Sequence, residues 1–246
     1  MDKYQVLKQY FGYDEFREGQ ELLIDSILSG RDTLGIMPTG AGKSLCFQIP
    51  ALMMEGITLV ISPLISLMKD QVEALNQAGI HAAYLNSSLT ASQYYRALAY
   101  AREGRYPIIY VAPERLVTEE FLDFALNTKI SMVAVDEAHC VSQWGQDFRP
   151  SYLKIVEFID RLNVRPVVSA FTATATKEVR DIGQRALPVV GGADGTHDGL
   201  RPSESLFRSP GTEGQVCDHE EFPGTASGTE WRDLLPDQKK CGGGQR

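Results

Sequence analysis

The chain's 246 residues carry a net charge of -8 and 43% apolar residues, enough to bury the core of one large domain or two small ones. No apolar run reaches the ~18 residues of a membrane helix, and Met1 to Gln5 open into mixed polar sequence without a basic-then-apolar leader, so a cytoplasmic protein without membrane partners is expected. Cys46, Cys140, Cys217 and Cys241 form no C-x-x-C pair, which argues against disulfides and zinc, and the acidic balance means that any DNA contact must be local rather than made by bulk charge.

In chain order, the periodicity predicts a helix over Glu21 to Ser29, a strand over Thr33 to Met37, a helix over Lys43 to Met54 and a strand over Thr58 to Ser62. A helix over Leu64 to Ala78, a strand over Ala82 to Leu85, a helix over Ala91 to Glu103 and a strand over Ile108 to Ala112 follow. The last are a helix over Glu119 to Asn127, a strand over Met132 to Asp136, a helix over Tyr152 to Leu162 and a strand over Val167 to Phe171. Short runs rich in Val and Ile alternating with amphipathic stretches are the pattern of βαβ units, so residues 1–182 read as a doubly wound α/β domain around a mostly parallel sheet.

Beyond residue 182 the texture changes. Twelve of the 22 glycines fall in the last 64 residues, which contain no Ile, Met, Tyr or Asn. Apolar residues there are sparse and aperiodic and cannot offset the entropy of ordering, so 183–246 is expected to be a disordered tail, with a linker to a further domain as the alternative.

The segment Met37-Pro38-Thr39-Gly40-Ala41-Gly42-Lys43-Ser44 lies between a predicted strand and helix. There, backbone N-H groups and the helix dipole can hold phosphate oxygens. Lys43 would reach the β- and γ-phosphates of a nucleotide and the Ser44 hydroxyl would sit on Mg²⁺. Met37 stands where the strict P-loop has glycine. The matching acids are Asp136-Glu137-Ala138-His139, after the apolar strand ending at Val135. A strand end puts Asp136 at the carboxyl edge of the sheet, to hold Mg²⁺ through water, with Glu137 to polarise the attacking water.

Three further segments narrow an NTPase to a family. Phe11-Gly12-Tyr13-Asp14-Glu15-Phe16-Arg17-Glu18-Gly19-Gln20 resembles the adenine-reading motif of RecQ helicases. On physical grounds alone, an aromatic helix start packing on the core fits it equally. By that resemblance Gln20 hydrogen-bonds the adenine edge, its amide matching N6 and N7, while Tyr13 and Arg17 sandwich the ring. Cys140 to Pro150 is similar to the aromatic-rich loop that RecQ proteins place after their DEAH box, with Gln146 where the family usually has histidine. Trp144 and Phe148 offer stacking faces for single-stranded bases, and Arg149 a cation for phosphate. The segments Ser62 to Gln71, Ala112 to Arg115 and Ser169 to Ala175 each follow a predicted strand. The resemblance implies that the first two, beginning with Ser62 and Pro63, grip the DNA backbone and that the third links nucleotide state to that grip.

Over residues 4 to 182 the chain thus resembles the first, RecA-like P-loop lobe of a RecQ-family ATP-dependent 3'-5' DNA helicase of DNA repair and recombination, located in the cytoplasm or at a bacterial nucleoid. An RNA helicase of the DEAD-box or DEAH-box type is the nearest competitor. The family's second lobe, with its arginine fingers, and its zinc module cannot be read in 183–246. The abrupt change near Asp181 to Arg185 is what a frameshift, or truncation with an unrelated tail, produces. The expectation is an ATP- and Mg²⁺-binding lobe with weak affinity for single-stranded or forked DNA and no unwinding. A non-catalytic ATP- or DNA-binding fragment is the alternative, and the oligomeric state is open.

Overall fold

A computed structural model of the chain describes residues 1–141, 154–173 and 189–191. Its strands are β1 (Thr33–Ile36), β2 (Ile57–Ile61), β3 (Ala82–Leu85), β4 (Ile108–Val111), β5 (Ile130–Val135), β6 (Val167–Thr172) and β7 (Val189–Gly191). They form one sheet in the order β3-β4-β2-β5-β6-β1-β7, every pair parallel. Parallel neighbours need crossovers. The described helices are α1 (Lys3–Val6), which runs into a π-helical turn Leu7–Phe11, then α2 (Gln20–Leu28), α3 (Lys43–Met53), α4 (Ile65–Gln77), α5 (Ala91–Arg102), α6 (Glu119–Leu126) and α7 (Lys154–Arg161). None is long and apolar enough to cross a membrane.

The sheet is covered on both faces, and its strands accordingly carry apolar residues on both sides rather than at alternate positions only. Along β2, Ile57, Leu59 and Ile61 face one core, with Tyr94 and Leu98 of α5, Phe121 and Phe124 of α6 and Phe158 of α7. Val60 faces the other, with Leu23 of α2, Phe47 of α3 and Met68 and Val72 of α4. The ring of Phe47 packs 5.4 Å from that of Phe171. Burying one such ring stabilises the fold by about 1.5–3 kcal/mol. Phe171 also explains Gly35 in the middle of β1, since a Cβ there would lie 2.7 Å from the Phe171 ring.

The predicted elements recur with ends shifted by a residue or two. β5 starts two residues early, at Ile130, because the polar Ser131 is accommodated by donating its hydroxyl to the Ile57 carbonyl. The helix expected from Tyr152 is seen from Lys154, residues 151–153 lying outside the described part. Two elements carried no readable period: the four-residue α1, held by an Asp2/Gln5 capping box, and β7. In β7, Val189–Gly191, within the segment expected to be disordered, pairs with Leu34–Ile36 of β1. Three backbone positions suffice to extend a parallel edge, and so short a strand needs no apolar repeat. The rest of 183–246 lies outside the described residues.

Candidate active site

The carboxyl ends of β1 and β5, with that of β6 between them, converge on one edge of the sheet. The segment after β1 turns through Gly40 and Gly42, both left-handed at φ 82° and 80°. Side chains are unfavourable in that region. Gly42 caps α3, so Lys43 and Ser44 begin an eleven-residue helix whose free N-H groups point into the loop. Met37, the departure from the strict P-loop pattern, is buried beneath the loop, where the Cys46 thiol donates to its sulfur at 3.7 Å. The larger residue is used as core and leaves the turn intact.

A cleft of about 620 Å³ opens beside this loop, lined by Tyr13, Arg17, Gln20, Thr39, Gly40, Gly42, Lys43, Ser44, Asp136 and Glu137 among others. Ten of the residues expected to handle nucleotide therefore surround one space. Tyr13 and Arg17 are exposed at its rim. Gln20 is buried, and its amide is engaged by the protein itself. Its nitrogen donates to the carbonyls of Ala41 and Gly42 at 3.1 and 3.2 Å, and its oxygen accepts from the Arg17 N-H at 2.9 Å. The Arg17 guanidinium donates to the Gly40 carbonyl at 2.7 Å. Three successive carbonyls of the phosphate loop are thus held by the segment the resemblance assigns to adenine. A Cβ on Gly42 would lie 2.5 Å from the Gln20 amide nitrogen.

Across the cleft, the Lys43 ammonium lies 3.4 Å from the Glu137 carboxylate, both largely shielded. Glu137 is the one non-glycine residue with positive φ, 50°, among the described residues. This conformation costs free energy and is found where function holds it. The other Glu137 oxygen is 3.3 Å from His139 Nδ1, which is 3.3 Å from the Thr172 hydroxyl at the end of β6. Asp136 accepts from the Glu137 N-H at 3.0 Å. Burial, then the neighbouring Glu137 charge, raises its carboxyl from 3.8 to about 6. A partly buried carboxylate beside a second one, with the Ser44 hydroxyl on the same cleft, is a donor set suited to a hard divalent cation. A glycine loop at a helix N-terminus with one lysine suits a polyphosphate.

The residues expected to touch DNA are placed less completely. Ser62 is buried, its hydroxyl without a hydrogen-bond partner, so after β2 the accessible groups are Pro63, partly exposed, and Leu64, exposed. Arg115 turns inward, donating to the Asn86 carbonyl at 3.3 Å and lying over the Tyr94 ring. Trp144, Phe148 and Arg149 lie outside the described residues. The sequence reading missed Gln48 and placed Gln71 only at the end of a segment expected to grip DNA; both line the cleft. A lone glutamine in the otherwise apolar centre of α3 was the available signal.

Comparison with known proteins bears on this site. Residues 17–182 match the DEAD/DEAH box helicase family. The ATP-dependent DNA helicase RecQ of Bacillus subtilis is 54% identical over 177 residues, 72% of this chain and 30% of that protein. The enzyme of the same name from Pasteurella multocida is 51% identical over 175 residues, 71% of this chain and 28% of that protein. This chain therefore matches under a third of the length of these relatives. Among solved structures, the DUF1998 helicase MrfA bound to DNA superposes with a TM-score of 0.64 at 17% identity, covering 78% of this chain and 29% of that one. A hypothetical ATP-dependent RNA helicase from Sulfolobus tokodaii superposes at 0.60 and 20% identity, covering 77% and 56%. At such identities the likeness speaks for the RecA-like fold alone.

Proposed function

The chain belongs to the DEAD/DEAH box helicase family, and from that premise we propose that it is the ATP-binding motor lobe of a RecQ-type DNA helicase, binding Mg·ATP in the cleft and single-stranded DNA weakly on the adjoining loops. The observation that carries this is the convergence of Lys43, Ser44, Asp136 and Glu137 on one cleft over the N-terminus of α3. Ser44 and Asp136 would hold Mg²⁺, which supplies charge neutralisation at the phosphates. Lys43 binds the phosphates as a point charge. When a phosphate takes the ammonium, Glu137 loses its partner across the cleft and retains His139, which leaves a carboxylate aimed at the γ-phosphate side to orient water. Tyr13 and Arg17 sandwich the base. For Gln20 to read adenine, its amide must exchange a loop carbonyl for the base edge, so base recognition and loop conformation are one equilibrium.

The described residues form one sheet with one such cleft. Charge stabilisation of phosphoryl transfer by an arginine from an opposing domain is worth about 10³ to 10⁵ in rate. Strand separation further needs two lobes that close on each other. The 246-residue chain is therefore proposed to bind nucleotide and single strands without separating duplexes. A purely non-catalytic ATP- and DNA-binding role is the second reading. The test is titration with fluorescent Mg·ATP and Mg·GTP, then ATP turnover with and without single-stranded DNA and a forked-duplex assay with Lys43→Ala as control. Preference for ATP and no unwinding are expected. Equal affinity for both nucleotides overturns the adenine assignment, and unwinding that Lys43→Ala abolishes overturns the single-lobe reading.

A further inference from the structure

Beneath the cleft, three polar side chains from three elements close a ring. Gln48 of α3 is 4% exposed and Tyr110 of β4 is 1% exposed, in a layer otherwise made of Phe47, Met68, Val72 and Met132. The Gln48 amide nitrogen donates one hydrogen to the Tyr110 oxygen at 3.1 Å and the other to the Gln71 side-chain oxygen on α4 at 3.1 Å. The Tyr110 hydroxyl donates to the same Gln71 oxygen at 3.4 Å. Both amide hydrogens and the phenolic one are used within the ring, and burial pushes the phenol upward from its ordinary range, so it remains a donor. Polar groups placed this deep lose free energy unless every bond is kept, so the three elements hold their spacing together.

The positions of these elements give the ring its meaning. Gln48 lies five residues after Lys43 on the helix whose N-terminus faces the phosphates. Gln71 lies on the helix that follows Ser62-Pro63-Leu64, and Tyr110 lies two residues before Ala112-Pro113-Glu114-Arg115. One junction therefore ties the phosphate helix to both segments expected to grip the strand. We propose that Gln48, Gln71 and Tyr110 are positioning residues that couple nucleotide occupancy to DNA grip: a shift of α3 on binding phosphate is passed through the ring to α4 and to the end of β4. This rests on the reading of the chain as an ATP- and single-strand-binding lobe. By thermodynamic linkage, the same ring makes DNA raise nucleotide affinity by the same factor.

Gln71 permits a clean test, because it serves the ring only as an acceptor and is partly exposed in the cleft, so its replacement does not open the core. The full chain is titrated with a fluorescent oligothymidylate, with and without a saturating non-hydrolysable Mg·ATP analogue, and the ratio of the two dissociation constants is the coupling factor. The parent is expected to give a factor within about 5 to 150. Gln71→Leu should bring it close to unity, with some fall in Tm because the Tyr110 hydroxyl and one Gln48 amide hydrogen lose their acceptor. Gln71→Glu, which keeps an acceptor oxygen, should retain it, and Tyr110→Phe should follow Gln71→Leu. A Gln71→Leu chain with the parent's factor, or a Gln71→Glu chain that loses it as fully as Gln71→Leu, overturns the proposal. A parent that binds both ligands with a factor of one overturns this coupling and leaves the functional reading standing. A parent that binds neither removes both.

Discussion

The two ends of the sheet are built on opposite terms. At the carboxyl edge, Glu137 is the one non-glycine residue with positive φ among the described residues, Asp136 is a partly buried carboxylate, and Lys43 and Glu137 face each other largely shielded from water. At the amino edge, polar side chains serve the local backbone. Asp32 accepts from Arg165 at 3.1 Å and from the Val168 N-H at 2.8 Å, Asn76 donates to the Ala82 carbonyl, and Asn163 donates to that of Leu126. The amino edge carries a hollow of comparable size, about 720 Å³ against about 620 Å³, lined by the starts of β5 and β6 with the exposed Glu55–Lys129 pair and Arg165. The difference teaches that size does not mark the site. A strained non-glycine backbone and closely grouped, shielded charge do, and the apolar strands between the two edges supply the stability that tolerates them.

The sharpest way to break the contrast is at Lys43. Lys43→Ala should lower Mg·ATP affinity by at least about two orders of magnitude, because a charge-assisted hydrogen bond contributes about 1.5–3 kcal/mol and the ammonium would serve two phosphates. Thermal stability should fall far less, since the ion pair lost is long at 3.4 Å and Glu137 keeps His139 at 3.3 Å. Fluorescent-nucleotide titration beside calorimetry checks both. A variant that binds as the parent does removes the phosphate assignment.

Next comes Gly42→Ala, which strikes the loop twice. A non-glycine residue in the left-handed region costs about 1–2 kcal/mol, and the added methyl would press on the Gln20 amide from 2.5 Å. Gln20 must then release the Ala41 and Gly42 carbonyls, so both Tm and nucleotide affinity are expected to fall. A fall in Tm with unchanged affinity would separate Gln20 from nucleotide binding.

Asp136→Asn should have the opposite sign on stability. The folded chain raises this carboxyl from 3.8 to about 6, so the native state binds the proton more tightly than the unfolded one. The group's contribution is fully present below pH 3.8 and is lost as pH rises through about 6. At pH 8 in metal-free buffer the ionised carboxylate costs on the order of 3 kcal/mol, and Asp136→Asn should raise Tm by roughly 6–12 °C. The gain should shrink between pH 6 and 4 and vanish at pH 4, while Mg²⁺-dependent nucleotide binding is lost throughout. Calorimetry across that range checks the sign, and a gain independent of pH would show that burial of the charge is not its source.

What was legible in the sequence follows the same division. The strands could be read because Ile57 to Ile61, apart from Thr58, and Ile108 to Val111 are apolar, and the loop before α3 because its glycine spacing dictates its left-handed turns. The bonding of Gln20 to the loop could not be read, nor the ring of Gln48, Gln71 and Tyr110. Those partners lie 21 to 62 residues apart along the chain and meet only through the strand order, which puts β4 beside β2. Met37 looked like a defect in the motif because its destination, the core under the loop, is a tertiary fact.

The smallest effect is expected at the amino edge, at Lys129. Its ammonium meets Glu55 at 2.9 Å, but the two side chains are 62% and 90% exposed. Glu55 is held below its ordinary range by hydrogen bonding to Lys129, yet in open water that attraction is offset by screening and by the entropy of fixing two long side chains. Lys129→Ala should therefore leave Tm, nucleotide affinity and the coupling to DNA where the parent has them, although the residue borders the amino-edge hollow. The same measurements made on Lys43→Ala serve as the comparison. A change in nucleotide affinity on Lys129→Ala would mean that the amino edge takes part in the site, and the division between a strained functional edge and a relaxed structural one would fall.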